Sequence, residues 1–446
     1  MRNACWTAVA LMMIFGALAA LAVGEEAAKP LPELPGVTVV KGAQIYGMLG
    51  QDATRLRLFA VNGGGEAAAI PFQIDSCDSA GRYVLPLAPA NGNTKHLRLK
   101  VRRREADGNA LDEHVELVFA TADAGPRAPA AVTFQHAAKV LEIELSGPNK
   151  TKGYVYLTAY AGTPPPLSPK DYVSFNPQAE AVFTDRYVAR YRPGKQDLAV
   201  SSLRLKAGDD TEVLDRVKIR FHLQSKVLVA IDVNEDDVQG SVAGYIDGPV
   251  RVIRGAEHDV KIGGLFDLHL EMNTTFTREM FSLPTRIHLP LNLATVAKSA
   301  TLDGGLDLNS TAQGMKFYPA AMQPYAIDGR MDQAEQALRK AEPAWLAYSG
   351  HGATMFILGR VPRQYGLTSS LAYLDDAAAD AGPDEEPGAW GQGMFRFDLI
   401  RLKKGILELS YHLVFFRGAM RADYARQAQQ AINTPIEVTV REEAVE

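Results

Sequence analysis

Two stretches of this 446-residue chain gather polar side chains at spacings that could do chemistry. The first, Gln73-Ile74-Asp75-Ser76-Cys77-Asp78, is followed downstream by Asp112 and Glu116. Hard cations such as Ca²⁺ demand several oxygen ligands. Two carboxylate-bearing turns brought together across a hairpin could offer Asp75, Asp78, Asp112 and Glu116 to one. The spacing is not that of an EF-hand loop, and Asp residues in turns more often bond their own backbone.

The second stretch runs from Arg251 and Arg254 through His258 to His269 and Glu271. On extended chain, Arg254 and His258 share a face, as do Asp267, His269 and Glu271. If the two strands pair, a row of cationic, imidazole and carboxylate groups is expected along one surface. Such a row suits sugar acids: Arg pairs a uronate carboxylate and His serves as general base. Arg251, His258 and His269 are the catalytic candidates, with Arg254 and Glu271 as binding groups. The plainer reading is a solvated sheet face carrying ordinary cross-strand ion pairs. Trp345 and Trp390, each near Gly or Pro, are sugar platforms or plugs at a core edge.

Other chemistries lack their signatures. The chain has no G-x-x-x-x-G-K-[ST], H-E-x-x-H, C-x-x-C or G-x-S-x-G, which lowers nucleotide hydrolysis, zincin proteolysis, thiol redox work and α/β-hydrolase chemistry. A formal net charge of -5 with scattered Lys and Arg speaks against nucleic acid as a partner.

The elements that must position these residues are strands. Residues 1–24 read as an export signal: Arg2, an apolar run without charge, and small residues offering cleavage near Ala22. The expected location is therefore periplasmic or secreted, with no membrane span after cleavage. Cys77 is the one cysteine beyond that signal, so no intrachain disulfide is expected. Residues 25–36 are Pro-rich and read as a tether.

From residue 37 onward, short alternating runs separated by Gly, Asp and Asn predict strands, among them 37–40, 55–61, 96–101, 115–120 and 140–145. The proline cluster at 163–169 predicts a boundary between an N-terminal β-sandwich over 37–162 and a larger one over 163–446. In the larger part, Phe266, Leu268, Leu270 and Met272 alternate with Asp267, His269, Glu271 and Asn273, the pattern of a sheet with one packed and one open face. Residues 394–400 and 406–416 read as a hairpin closed at Gly405, and 375–387 as a mobile acidic loop. Two small peripheral helices are expected, at 332–341 behind an Asp cap and at 419–432. The fold class is all-β, built of antiparallel sandwiches.

Three segments, Ile70-Pro71-Phe72-Gln73-Ile74-Asp75, Asp112 to Phe119 and Gly248-Pro249-Val250-Arg251, resemble those of uncharacterised secreted bacterial proteins with a galactose-mutarotase-like β-supersandwich. The resemblance implies that fold for the larger part and an association with carbohydrate. The leading functional expectation is an exported, non-catalytic binding protein for cell-surface or extracellular polysaccharide, or for an envelope protein. The alternatives are a carbohydrate-active enzyme of uronate lyase or epimerase type, and a structural partner in an extracytoplasmic assembly.

Overall fold

The computed structural model describes residues 29–31, 34–86, 109–192, 197, 199–227, 229–264, 266–380 and 385–443. The export signal, its cut near Ala22 and the strand expected at 96–101 lie outside the described residues. No helix among them is long and apolar enough to cross a membrane.

The described residues form five sheets, mostly of antiparallel strands, so the chain is mostly β. Near the N-terminus, Val37–Lys41, Val115–Ala120 and Phe72–Ser76 make a three-stranded sheet. Val40, Leu117 and Phe119 meet Leu58, Ile143 and Leu157 of a second sheet in one apolar core. That second sheet contains Leu56–Val61, Ala137–Ser146 and Thr151–Tyr160. Two distant segments complete it. Lys29–Pro30, in the expected tether, lies parallel to Thr151 and Lys152, an edge place that proline tolerates because no ladder donor is needed there. Glu437–Glu443 runs antiparallel to Ala137–Ser146, with Val438 and Val440 against the N-terminal core.

The larger part packs a nine-stranded sheet on a five-stranded one. Leu270, Met272, Phe276 and Phe281 of the first meet Leu302, Leu306 and Phe395 of the second. A small meander from Val173–Asn176 to Thr211–Glu212 adds to the same core. The hairpin expected around Gly405 does not form. Ala389–Asp398 pairs with Ala297–Leu308 in the five-stranded sheet, whereas Gly405–Arg417 pairs with Met280–Leu289 in the nine-stranded one. Leu399 and Leu402, both buried, pin the connection between the two sheets to the core while Arg401, Lys403 and Lys404 stay exposed.

Among the described residues the α-helices are Leu293–Val296, Gln333–Ala337 and Ala422–Asn433. The second begins where expected: Asp332 Oδ1 accepts from the Glu335 amide at 2.7 Å and Glu335 Oε2 from the Asp332 amide at 2.8 Å, a reciprocal cap. The acidic stretch from Asp375 is anchored at both described ends, and residues 381–384 lie outside the described residues. Asp375 is buried and accepts from the amides of Asp328, Gly329 and Gly391 at 2.8, 2.9 and 3.0 Å, and Glu385 meets Lys218 Nζ at 2.6 Å.

Candidate functional site

The strands carrying the second polar stretch do pair, Arg251–Ile262 against Phe266–Thr277, but not in the register that would make one row. Ile262 lies opposite Phe266, so Arg254 faces Thr274 and His258 faces Leu270, while Glu257 and Asp259 face Glu271 and His269. Side chains alternate along each strand, so directly paired residues share a face. Arg254 and His258 therefore point into the core between the sheets, and His269 and Glu271 point the other way.

His258 is 1% exposed with both ring nitrogens unpartnered; burial, aided by Arg254 and His269, pushes its pKa down to about 3. Arg254 donates to the Asp197 carbonyl at 2.9 Å and lies 3.9 Å from the centre of the Tyr191 ring.

Arg251 has a different partner set, and the three family-like segments converge on it. Its Nε donates to Asp75 Oδ2 at 2.7 Å and its Nη2 to Glu116 Oε2 at 2.5 Å. Gln73 Oε1 accepts from the amides of Val250 and Arg251 at 3.1 and 2.8 Å, while its Nε2 donates to Asp75. Tyr83 donates to Glu116 at 3.2 Å, and Lys41 pairs with the other Glu116 oxygen. Burial raises the Asp75 carboxyl above its usual range. For Glu116 burial also acts upward, but Arg251 and Lys41 together hold it below. This clasp joins the N-terminal sandwich to the large sheet.

The carboxylates considered for Ca²⁺ are thus divided. Asp75 and Glu116 neutralise Arg251. Asp78 accepts from the amides of Ala80 and Arg82 and pairs with the Arg82 guanidinium at 2.7 Å. Asp112 accepts from the His114 amide at 2.9 Å. Among the described residues no three His, Cys, Asp or Glu groups are arranged to hold a metal ion. Cys77, beside the clasp, is a free thiol that burial pushes up to about 11.

On the open face of the nine-stranded sheet two imidazole–carboxylate pairs stand side by side. His269 Nδ1 lies 2.8 Å from Asp259 Oδ1, His288 Nε2 lies 3.1 Å from Glu271 Oε1, and the ring centres are 5.5 Å apart. A carboxylate accepts, so the facing ring nitrogen is the donor in each pair. Arg286 bridges Glu271 at 3.6 Å and Glu408 at 3.3 Å.

A hollow of about 550 Å³ is lined by Asp237, Asp259, Asp267, His269, His288 and Lys404. A second of about 310 Å³ is lined by Glu271, Arg286 and Glu408 together with Asp78, Arg82 and Tyr83 of the N-terminal sandwich. Beyond it the face is closed by Leu85, which packs on Ala243, Ile246 and Ile253. Gly255 makes room for it: a Cβ there would stand 2.3 Å from Leu85 Cδ1.

Sequence reading missed Asp259, Arg286, His288 and Glu408. The signal for two of them was present, since Arg286 and His288 alternate with buried Thr285, Ile287 and Leu289 along Met280–Leu289. The tryptophans lie elsewhere. Trp345 stacks on Phe356 at 4.7 Å within a core cluster beside the last helix, and Trp390 packs on the main core.

No protein-family model matches the chain, and no curated protein does. Solved structures similar to it include an alpha-mannosidase from Enterococcus faecalis V583, 8% identical with a TM-score of 0.48, where 94% of this chain and 45% of that one are covered. The chain thus spans less than half of that mannosidase's length. Another is the Slr1438 protein from Synechocystis sp. PCC 6803, 10% identical with a TM-score of 0.25, where 58% of this chain and all of that one are covered.

Proposed function

We propose that the protein is an exported carbohydrate-binding protein whose sugar chain lies along the open face of the nine-stranded sheet, and that this larger part is a mutarotase-like supersandwich. The observation that supports the binding reading is the pair of imidazole–carboxylate couples, His269–Asp259 and His288–Glu271, bordering two adjoining hollows. Sugar hydroxyls both donate and accept, and a surface of fixed carboxylates, imidazoles and guanidinium groups answers both needs. From Asp267 to Asn273 the face runs about 20 Å along the strand, long enough for an oligosaccharide. Its ligand is a cell-surface or extracellular polysaccharide.

Calorimetric titration with a panel of neutral and acidic oligosaccharides tests this. Binding to at least one, weakened about tenfold or more in a His269→Ala, His288→Ala variant, is the expected outcome, since each lost hydrogen bond to a charged pair costs roughly 1.5–3 kcal/mol. No binding across the panel, or equal binding by the variant, overturns it.

One observation favours an acid–base enzyme as a second reading: Asp259 holds one nitrogen of His269, and the other, Nε2, makes no hydrogen bond and lies 4.0 Å from Glu257 Oε2. An imidazole so oriented is suited to take the proton beside a uronate carboxylate while the glycosidic oxygen leaves the neighbouring carbon. Arg251 is held in the clasp and His258 faces the core, so His269 carries this reading alone. Ultraviolet absorbance from unsaturated products of uronate polymers, lost in His269→Ala, is its test; silence removes it.

A further inference from the structure

Away from that face, a hollow of about 650 Å³ opens where several parts of the chain meet. Asp123 reaches it from the N-terminal sandwich, Tyr172 from the segment after the proline cluster, Arg186 from the small meander, and Arg278, Glu279 and Arg417 from the large sheet. Clefts between packed units are where ligands most often bind.

The charges around this hollow do not balance within the protein. Asp185 accepts two bonds from Arg278, at 2.9 and 2.8 Å, and also lies 3.5 Å from Arg417 Nη2 and 3.9 Å from Arg186 Nε. One carboxylate is shared among three guanidinium groups. Lys170 adds a further cation to the lining. Arg186 Nε is buried with no hydrogen-bond acceptor, a costly condition for a charged donor.

The lining also holds Arg421 and Asp423, which pair with each other at 2.8 Å and leave the balance unchanged, so two carboxylates remain, Glu279 and Asp123. Glu279 lies 3.6 Å from Arg278, yet burial raises its carboxyl above the usual range against the pull of Arg278 and Arg186. Asp123 uses one oxygen to accept from Tyr172 at 2.7 Å; its other oxygen is buried and unpartnered, and burial raises this carboxyl too.

We infer that this hollow is a second binding site, for a ligand bearing an oxyanion: the carboxylate of a sugar acid, or a phosphate or sulfate group. Arg186 and Arg417 hold the oxyanion, and Arg278, fixed by its two bonds to Asp185, completes the positive wall. Guanidinium groups match the paired oxygens of such anions in geometry as well as charge. Because the three arginines come from the small meander and the large sheet, the bound anion holds those two elements together and the ligand stabilises the fold.

The full chain is titrated calorimetrically at low ionic strength with trigalacturonate, inorganic phosphate and inorganic sulfate, and its thermal melting is followed with each. At least one probe is expected to bind and to raise the melting temperature. Arg417→Gln, at a position whose side chain is 59% exposed and so tolerant of change, should weaken that binding, and Arg186→Gln with Arg417→Gln should weaken it about tenfold or more.

The His269→Ala, His288→Ala variant should bind inorganic phosphate and sulfate as the wild type does, and should keep whatever part of trigalacturonate binding the arginine variants lose, which separates this site from the sheet face. Preference for trigalacturonate assigns the carboxylate source; preference for phosphate or sulfate assigns the other. The inference is overturned if no probe binds, if the arginine variants bind as tightly as the wild type, or if the histidine variant alone loses the binding.

Discussion

Arg251 of the large sheet and Asp75 of the N-terminal sandwich meet at 2.7 Å with side chains only 4% and 3% exposed, so the two parts of the chain are joined by a buried ion pair. Removing one member of such a pair strands the other's charge. Arg251→Ala is expected to cost about 3–5 kcal/mol in urea denaturation. Adding Asp75→Asn and Glu116→Gln should recover part of that loss, because the stranded carboxylates are then gone. A cost under about 1 kcal/mol for the single variant would show that the clasp does not hold the sandwiches together.

Gly255 lies under Leu85, and an added Cβ would sit 2.3 Å from its Cδ1. Gly255→Ala is expected to lift the segment carrying Tyr83 and Leu85 from the sheet at a cost of about 1–3 kcal/mol, the usual range for overpacking. Limited proteolysis should then cut near Leu85 faster than in the wild type. Leu85→Ala in the same chain should recover part of the stability, which a purely backbone effect of the substitution would not allow.

Two buried groups give the stability opposite dependences on pH. His258 is neutral in the fold, with a pKa pushed down to about 3 by burial first and then by Arg254 and His269. Its contribution is complete above about 6.5, the unfolded value, and is lost as pH falls toward 3. Asp307 is raised to about 7, again by burial first, with Lys218 at 3.4 Å acting against it. Its contribution is complete below 3.8 and is lost as pH rises through about 7. Between about pH 4.5 and 6 the two cancel. Relative to the wild type, Asp307→Asn should therefore gain stability with rising pH, by about 1.4 kcal/mol per unit, and His258→Gln should lose it at the same rate. Parallel curves for all three proteins in denaturant titrations would refute both assignments.

Asp259, 64% exposed, lines the hollow and also holds the 11% exposed His269 ring, so it meets the sugar as well as fixing the imidazole. Asp259→Asn keeps the shape and an accepting oxygen but weakens the grip on the ring, so oligosaccharide affinity should fall about threefold, less than for His269→Ala. The two variants also separate the readings of the site. Loss of binding with no catalytic signal in either supports recognition. A changed pH–rate profile in Asp259→Asn supports acid–base work.

The strand content, the open and packed faces of Phe266–Thr277 and the Asp332 cap were legible in the sequence because each depends on residues a few positions apart. Two things were not legible. Which sheet Ala389–Asp398 and Gly405–Arg417 join depends on where Leu399 and Leu402 find burial, a choice made by the assembled core. Likewise, nothing in the spacing of Gln73, Asp75, Glu116 and Arg251 announced that they share one clasp, since the contacts span more than a hundred positions.

The polar row failed for a single reason. Alternation along a strand fixes which of its own residues share a face; pairing register fixes which residues of the neighbour join them. Three residues, 263–265, separate Ile262 from its partner Phe266. A connection one residue shorter would have set His258 opposite His269. The sequence by itself determined the period and the candidate faces of this protein. Only the tertiary structure, through that register, placed His258 in the core and left His269 with Asp259 on the open face.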